Sequence, residues 1–476
     1  MIFASIRLFV CPVLLTVASS IAVSNSAALA TDWNQFRGPS GTGVSDKLNL
    51  ADDFSLDHVS WKSALGGGTS SVIFSEGKLF ATSLNEQKRT LHCLDATTGR
   101  EVWTKTVESL RKETATPPNG PATCSPVSDG KYVSVLFPDS GLFVYTLDGQ
   151  LVWQKDLGPF YSMHGISASP ILVDGRLIVT IDQLQSPYIA AFDVTNGTQL
   201  WKVERLQGIT GGYSSPTFAE IGNRKLIISA APGEMVAYDL ETGEKRLSMI
   251  GLTNAPVAVP VVYKDHVYFT EPPGEPTPME ALGDADANKD GVIELAEVKN
   301  SLGTYRLIER LDKGFGNDDG KVDKGEWDKG FGSFLNKGGL SCIHLETRDG
   351  ALEGTLKWKY TKSTPYIPSA LVIDDLVYII NDGGILICFD AKTGDIIKRE
   401  RLGEATGQYY ASPVSAGDRM VLANLQGKVS LLKTGKDFKL IKTIDLEEPI
   451  VATPSIYHGR LYIRTNRQIY CFEGKV

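Results

Sequence analysis

The sequence has few of the features that mark membrane spans, disulfide frameworks or nucleic-acid binding. After the first thirty residues no apolar run approaches the ~18 residues of a bilayer-spanning helix. The six cysteines contain no CxxC, CxxCH or adjacent pair, so a disulfide framework and a c-type haem are not indicated. The chain has 48 Lys and Arg against 56 Asp and Glu and no basic cluster, which excludes a nucleic-acid partner.

Catalytic and metal-binding motifs are also scarce. The six histidines, at positions 58, 92, 164, 266, 344 and 458, show no spacing typical of a metal site. No GxSxG or comparable nucleophile motif occurs. The sequence therefore favours a protein that binds over one that catalyses, with an enzyme kept as an alternative.

Residues 1–30 have the pattern of an export signal. Arg7 precedes the apolar run LFVCPVLLTVASSIAV, and small Ala28 and Ala30 follow it, which predicts cleavage before Thr31. Cys11 lies inside the run without the small-residue context of a lipoprotein signal. We therefore expect an exported protein, periplasmic or secreted, with no lipid anchor and no transmembrane segment after cleavage.

A short motif of a small residue, Ser or Thr, and usually Pro recurs eight times before an apolar run. Its third positions are 72, 126, 170, 216, 260, 370, 413 and 454. The spacings are 41 to 46 residues except for one of 54 and one of 110, and the long one contains a 66-residue insertion over 272–337. A period in the forties with short strands is typical of a β-propeller.

Each repeat contains four strand-sized runs. The turn before the fourth run has the same form in most repeats. Gly99 and Gly197 close two of these turns and are suited to a positive φ, and a Trp follows each glycine four residues later. Alternation along the strand places that Trp against the neighbouring blade. The eighth repeat ends after three strands, and HVSWKSAL near the N-terminus, with Trp61, supplies the missing fourth. The predicted fold is an all-β, eight-bladed propeller closed by an N-terminal strand.

Five cysteines remain after the export signal: Cys93, Cys124, Cys342, Cys388 and Cys471. Four of them occupy the same place in four repeats, in LHCLD, LSCIH, LICFD and IYCFE. Equivalent places in different blades lie beyond the ~7 Å Cα separation that a disulfide allows. We therefore expect buried free thiols.

The D-A-x-T-G-x-x-x-W turn resembles that of the quinoprotein alcohol dehydrogenase-like propellers, whose repeat is named for pyrroloquinoline quinone (PQQ). The resemblance covers 58–271 and 338–476, and the leader over 31–57, with DWNQFRGPSGTGVS, is similar to the start of exported members. It implies the fold and leaves function open, because function resides in sites carried by the fold.

The insertion over 272–337 contains a calcium-loop pattern. DANKDGVIELAE at 286–297 matches D-x-[DN]-x-[DN]-G-x5-E, in which alternate side chains converge on a cation that takes six to eight oxygens. The predicted ligands are Asp286, Asn288, Asp290, the Val292 carbonyl, Glu294 and Glu297. Ile293, at the eighth position, suits a short strand that pairs with a second loop. The alternative is an acidic surface turn.

A second, imperfect loop follows. Alignment on Gly320 places Phe315, which has no side-chain oxygen, at the first position. The remaining predicted ligands are Asn317, Asp319, the Lys321 carbonyl, Asp323 and Glu326. Either Asp312 reaches in through a rearranged loop, or the site is weak, or the loop only supports the first one. The pair, an EF-hand pair by pattern, forms either a stabilising module or a calcium-dependent docking surface, and the pattern favours the former.

The loops before the first strand of each blade are expected to line one mouth of the channel. They offer Tyr213, Tyr409, Tyr410 and His164, which suit a peptide or glycan ligand or serve as turn residues. Among the functions that the resemblance implies, a PQQ-dependent dehydrogenase needs a quinone pocket, an acidic base and usually an adjacent cysteine pair, which this chain lacks. A BamB-like assembly factor is the other function that the resemblance implies, and this chain agrees with it in size and in blade number. The chain differs from it in having no lipidation cysteine and in carrying the two added loops.

The sequence thus predicts an exported, non-catalytic binding or scaffold propeller. We expect it to be a monomer that binds Ca²⁺ in its insertion and a protein or glycan ligand on the propeller, without PQQ.

Overall fold

The computed structural model describes residues 33–45, 50–52, 55–205, 211–250, 252–253, 255–272, 278–334 and 338–473. The predicted export signal over 1–30 lies outside these residues. Residues 31–476 form one compact unit. In the described part of the chain, no helix is both long and apolar enough to cross a bilayer.

The predicted propeller is confirmed: eight antiparallel blades of four strands follow one another around the ring, and the N-terminal strand β1 (Val44–Ser45) adds a fifth, parallel strand to the seventh blade. Two N-terminal strands, β1 (Val44–Ser45) and β2 (Val59–Ala64), precede the first complete blade. Blades one to four consist of β3 (Ile73–Ser75), β4 (Lys78–Asn85), β5 (Lys88–Asp95), β6 (Glu101–Glu108); β7 (Val127–Ser128), β8 (Tyr132–Phe137), β9 (Gly141–Thr146), β10 (Leu151–Lys155); β11 (Ile171–Val173), β12 (Arg176–Ile181), β13 (Tyr188–Asp193), β14 (Gln199–Glu204); β15 (Thr217–Ile221), β16 (Arg224–Ala231), β17 (Glu234–Asp239), β18 (Lys245–Ile250).

The second half of the chain repeats the same order, with an insertion inside blade five. Its strands are β19 (Val261–Tyr263), β20 (His266–Glu271), the insertion's β21 (Ile293–Glu294) and β22 (Lys321–Val322), then β23 (Gly339–Arg348), β24 (Ala351–Tyr360); β25 (Leu371–Ile373), β26 (Leu376–Asn381), β27 (Ile385–Asp390), β28 (Ile396–Arg401); β29 (Val414–Ala416), β30 (Arg419–Ala423), β31 (Lys428–Lys433), β32 (Lys439–Asp445); β33 (Ser455–Tyr457), β34 (Arg460–Arg464), β35 (Gln468–Phe472). Helices are few: 3-10 turns at Pro39–Gly41, Leu56–His58 and Met279–Ala285, and the insertion's α1 (Leu302–Phe315) and α2 (Lys324–Phe334).

The ring closes as predicted. Strand β2 pairs antiparallel with β35, so the N-terminal strand completes the last blade and covers an edge that would otherwise be exposed. Arg464 of the last blade reinforces the junction, because its guanidinium donates to the backbone oxygens of Ser70 (2.9 Å) and Thr82 (2.6 Å) in the first blade.

Tryptophans on the outer strands hold successive blades together. Trp153 lies against the turn glycine Gly197 of the next blade, where a Cβ atom would come within 2.8 Å of the indole ring. Its Nε1 donates to the Val194 carbonyl at 2.8 Å. Trp103, Trp201 and Trp358 make the equivalent bond to the next blade. The predicted contact of this side chain with the neighbouring blade is therefore confirmed.

The recurring Ser or Thr of the repeat motif forms a second set of inter-blade contacts, here called the hydroxyl belt. Its members are Ser71, Ser125, Ser169, Ser215, Ser369, Ser412 and Thr453. Six backbone N–H groups each donate to the belt hydroxyl of the following blade at 2.8–3.0 Å. The motif recurs because, in six of the eight blades, a short hydroxyl side chain before the inner strand satisfies a buried amide of the preceding blade.

Apolar side chains from facing sheets fill the space between blades. The five cysteines lie in these layers as buried free thiols, as expected from their repeat positions. Burial raises the pKa of Cys93 to about 12 and that of Cys342 to about 11, so neither thiol ionises readily. Cys93, Cys342, Cys388 and Cys471 act as small apolar residues of their strands, and Cys124 does so in the segment before β7.

The leader enters the ring, a placement that the sequence analysis did not foresee. Asn34 exchanges two hydrogen bonds with Ser128 of blade two, at 2.8 and 2.9 Å. The buried Arg37 donates to the Ala370 carbonyl of blade six at 2.7 Å. Strand β1 then pairs in parallel with β29, the innermost strand of blade seven. Residues 33–45 therefore cross the channel and bond to inner strands on opposite sides of the ring.

Candidate functional site

A cavity of about 310 Å³, here called the mouth cavity, opens at the end of the channel where the inner strands begin. All eight blades contribute to its wall, including every member of the hydroxyl belt, and Phe36 of the leader also lines it. In the strand order of the blades, this end also carries the connection from which the insertion grows. Phe36 thus places part of the leader in the wall of this cavity.

Aromatic side chains surround the mouth cavity. The ring centroids of His164 and Tyr213 lie 5.5 Å apart. Tyr366 of blade six and Tyr410 of blade seven also line the cavity. Tyr366 is 61% exposed, which leaves its ring free to stack on a ligand. Each belt hydroxyl that accepts an inter-blade bond retains its own O–H proton as a donor. The cavity thus combines rings with uncharged hydrogen-bonding groups.

The sequence prediction of mouth residues is correct for three of four positions. His164, Tyr213 and Tyr410 line the cavity, whereas Tyr409 does not. The ring of Tyr409 is buried between blades and its hydroxyl donates to the Ala405 carbonyl at 2.6 Å. Burial raises its pKa to about 12. Alternation along the chain sends adjacent tyrosines to opposite sides, so only one of the pair can reach the channel.

The lining does not suit PQQ. This quinone carries three carboxylates, which in a protein need cations or several N–H donors. Among the described lining residues none is Lys, Arg, Asp or Glu, so neither a cationic clamp nor an acidic base is present there. The channel next to the cavity is crossed by the leader. The residues at this site therefore do not fit the cofactor of the dehydrogenase alternative.

The first loop of the insertion is held by its own acidic side chains. Asp286 accepts the backbone N–H groups of Asp290 (3.2 Å) and Gly291 (2.9 Å). The Asn288 side chain accepts from the Asp290 N–H at 2.9 Å, and Glu297 reaches back to the Asn288 N–H at 3.1 Å. The Asp290 side chain accepts the Val292 N–H at 2.9 Å, so the side-chain oxygens of positions one, three, five and twelve are all turned toward the loop backbone.

The second loop repeats this pattern with a different first residue. Asp312, from the last turn of α1, accepts the N–H groups of Asp319 (3.1 Å) and Gly320 (2.7 Å), as Asp286 does in the first loop. Asn317 accepts from the Asp319 N–H at 3.1 Å. Of the alternatives that the sequence left open, the geometry favours entry of Asp312 through a loop with three extra residues. Phe315 is not the structural counterpart of Asp286.

The two loops are joined by a short sheet. Ile293 pairs with Val322, which is the strand pairing expected for the eighth position of the first loop. Glu326 accepts the Asp323 N–H at 3.2 Å, matching the bond from Glu294 to Glu297 at 2.9 Å. Buried Ile293, Val322, Leu307, Leu311 and Trp327 belong to a core of the insertion's own.

The carboxylate oxygens of the two loops are more widely spaced than in a compact metal site. Among the described residues, no three carboxylates of the loops have oxygens within 4.8 Å of one another. Glu294 is instead paired with the Lys321 ammonium at 2.6 Å. Oxygens on opposite sides of a calcium ion lie up to about 5 Å apart, since each Ca–O bond is 2.3–2.6 Å. The donor set therefore fits Ca²⁺, and the ligand assignment remains a prediction.

Helix α1 connects the insertion to the mouth end of the propeller. Arg306 donates to the Leu184 carbonyl of blade three at 3.0 Å, and Arg310 donates to the Pro232 carbonyl of blade four at 2.8 Å. Asp312 lies on the same helix. The second loop and the propeller contacts are thus carried by one rigid element.

Comparisons with known proteins agree with this architecture. The family model described as "Outer membrane protein assembly factor BamB" matches residues 43–281, just over half of the chain. The chain belongs to this family. No curated protein matches it by sequence.

Solved structures extend the fold of this BamB family member over nearly the whole chain. BamB from Moraxella catarrhalis is 12% identical and matches with a TM-score of 0.53 over 87% of this chain and 98% of its own. A europium-containing methanol dehydrogenase is 9% identical, with a TM-score of 0.60 over 93% and 98%. The quinohemoprotein alcohol dehydrogenase from Comamonas testosteroni is 11% identical, with a TM-score of 0.56 over 94% and 82%. At these identities the similarity shows the fold alone.

One group of side chains in this BamB family member was missed by the sequence analysis. Asp265, His266 and His344 are brought together at the base of blade five, with their ligand atoms within 4.8 Å of one another. The two histidines are 78 residues apart because the insertion separates their strands, so no sequence spacing reveals them. The pairing of β20 with β23 was the signal available, since it places one directly opposite the other.

Proposed function

We propose that the protein is an exported, non-catalytic binding propeller whose mouth cavity takes a segment of a protein ligand. The observation that supports this is the cavity lined by aromatic and hydroxyl groups, without Lys, Arg, Asp or Glu among its described residues. Phe36 of the protein's own leader forms part of its wall. Such a surface binds by stacking and by hydrogen bonds to main-chain groups, and its described lining contains no carboxylate, ammonium or guanidinium group. The protein acts as a monomer in the periplasm or outside the cell. A glycan is the alternative ligand.

The binding test uses arrays of extended peptides and of glycans probed with the mature protein. Tyr366→Ser removes the exposed ring at the cavity and is expected to weaken binding at least tenfold. Tyr161→Ser is the matched control, because Tyr161 is 51% exposed but does not line the cavity. Equal binding by the wild type and Tyr366→Ser, or equal losses in both variants, would place the ligand elsewhere.

We also propose that the insertion binds Ca²⁺, through Asp286, Asn288, Asp290, the Val292 carbonyl, Glu294 and Glu297 in the first loop. The second loop has Asp312 in the first position, together with Asn317, Asp319, the Lys321 carbonyl, Asp323 and Glu326. What supports this is the same hydrogen-bond pattern in both loops and the antiparallel link between them. Calcium fixes the shape of the insertion against the mouth end.

Calorimetric titration with Ca²⁺ tests both loops. Asp286→Ala with Glu297→Gln is expected to abolish the first site and leave the propeller folded. Asp312→Asn is expected to remove the second site. Asp318→Asn makes the same charge change at an exposed position that accepts no loop hydrogen bond among the described residues, and it should bind as the wild type does. Full calcium binding by the double variant would refute the assignment of the first loop.

Family membership favours one second candidate, a role in assembling outer-membrane proteins. In that case the protein ligand is a partner of the assembly machinery or a β-strand of a client. Affinity purification from membrane extracts, with wild type and Tyr366→Ser compared, distinguishes this role: machinery subunits retained by the wild type alone would support it. An absorbance titration with PQQ serves as the test of the dehydrogenase alternative, and a stoichiometric shift of the quinone spectrum would restore it.

A further inference from the structure

We propose that Asp265, His266 and His344 form a binding site for one divalent transition-metal ion, with Zn²⁺ as the preferred ion. The site lies at the end of the propeller opposite the mouth cavity, where the β19–β20 turn meets strand β23. It is separate from the oxygen-rich loops of the insertion, and it stands independently of the proposed binding function.

The geometry places three ligand atoms around one point. His266 on β20 and His344 on β23 are direct cross-strand partners, with ring centroids 4.9 Å apart. The carboxylate of Asp265 lies between them: Oδ1 is 2.6 Å from His266 Nδ1, and Oδ2 is 3.1 Å from His344 Nε2. Each ring therefore already directs one nitrogen at the shared carboxylate.

The surrounding backbone keeps these groups in place. The Asp265 carbonyl accepts the Leu345 N–H at 2.7 Å, which ties the turn to the neighbouring strand. His344 is half-buried, and its Nδ1 is enclosed without a hydrogen-bond partner among the described residues. Its orientation consequently depends on the contact of Nε2 with Asp265. A preorganised ligand set of this kind loses little conformational freedom when an ion binds.

Zinc suits this set in number, type and distance. Two imidazole nitrogens and one carboxylate form the three-ligand arrangement in which a fourth, solvent position stays open. Zn–N and Zn–O bonds are ~2.0–2.2 Å, so adjacent ligand atoms of a tetrahedral ion lie about 3.3 Å apart. The observed 2.6 and 3.1 Å separations need to widen by less than 1 Å. The Asp265 side chain is 52% exposed, which gives the ion a path from solvent.

The competing interpretation is a hydrogen-bonded surface cluster in which Asp265 bridges two rings without an ion. Imidazole selects transition metals over Ca²⁺, which prefers oxygen. The two interpretations therefore differ in whether calcium-saturated protein binds Zn²⁺ at this cluster. A metal site binds one ion there, and a hydrogen-bonded cluster binds none.

The experiment is a Zn²⁺ titration of the mature, calcium-saturated protein by calorimetry, with Co²⁺ absorbance as a second readout. The wild type is expected to bind one Zn²⁺ and to give the strong visible bands of four-coordinate Co²⁺. His344→Gln and Asp265→Asn are each expected to weaken Zn²⁺ binding by about 10-fold to 100-fold or more, since loss of a second-shell contact alone has that effect. Circular dichroism confirms that each variant is folded.

Two controls separate this site from the others. His458→Asn changes a turn histidine outside the cluster, and Asp286→Ala with Glu297→Gln disables the first insertion loop; both should bind Zn²⁺ as the wild type does. The proposal is overturned if Asp265→Asn and His344→Gln bind Zn²⁺ with wild-type affinity, or if the wild type gives no four-coordinate Co²⁺ bands. Loss of Zn²⁺ binding in the loop variant would likewise assign the ion to the insertion.

Discussion

Two glycines of blade three provide a direct test of the tryptophan contact between blades. Gly197 has φ +75°, and a Cβ atom there would lie 2.8 Å from the Trp153 ring. Gly175 has φ +73°, and a Cβ atom there would have no neighbour within 4 Å. Alanine at either site experiences the same left-handed backbone strain, about 1–2 kcal/mol. Only Gly197→Ala also displaces the indole.

The displaced indole sets the expected difference. Forcing a side chain aside in a packed interface costs about 1–3 kcal/mol. The indole N–H bond to Val194 contributes about 1 kcal/mol more if it breaks. We therefore expect Gly197→Ala to lower the free energy of unfolding by about 2–6 kcal/mol and Gly175→Ala by about 1–2 kcal/mol.

Urea unfolding followed by circular dichroism compares the two variants, and tryptophan emission reports on the indole. Gly197→Ala should show the earlier transition and a red-shifted emission, whereas Gly175→Ala should keep the wild-type emission. Replacing Trp153 by Leu in the Gly197→Ala background should recover part of the loss. Equal destabilisation by the two alanines, with unchanged emission in both, would refute the claim that this glycine is required by the indole.

Three further measurements address other features. Arg37→Met leaves the carbonyl of Ala370 without its buried donor, and we expect a loss of about 1–3 kcal/mol in thermal unfolding. The five buried thiols should resist Ellman's reagent in the native protein and react fully in denaturant; rapid labelling of the native state would contradict their burial. Burial raises the pKa of Glu271 above its usual 4.5, so the folded state retains this proton to higher pH than the unfolded chain. Stability should therefore fall as pH rises from about 4.5 through the folded pKa, and Glu271→Gln should flatten that part of the pH profile.

The repeat architecture was predictable because its signals are local and recur. A recurring turn glycine, a large side chain four residues later that is Trp in several repeats, and spacings mostly of 41 to 46 residues lead directly to blades and to their order. The position of the N-terminal strand was predictable for a similar reason. The eighth repeat has only three strands, and the strand around Trp61 belongs to no complete repeat.

The sites were less predictable because they depend on contacts between distant residues. The leader has no periodic pattern, so its course through the channel follows only from bonds such as those of Asn34 and Arg37 with inner strands. Asp312 was visible as a possible ligand, but three extra residues separate it from the loop that it completes. Asp265 and His344 meet only after the insertion has been looped out.

The hydroxyl belt gives the ring a mechanical division. Its bonds link blades one to four in one series and blades five to eight in another. The series is interrupted where Val259 replaces a hydroxyl and where the Ser71 hydroxyl has no partner among the described residues. These two seams face each other across the ring, and the leader spans them by bonding to blade two on one side and blades six and seven on the other. Other bonds take over at both seams: Arg464 joins blade eight to blade one, and the Ser214 hydroxyl donates to the Ala258 carbonyl at 2.7 Å between blades four and five. The ring is therefore built of two hydroxyl-bonded half-rings, joined to each other by different bonds at the seams and by the leader as a cross-brace.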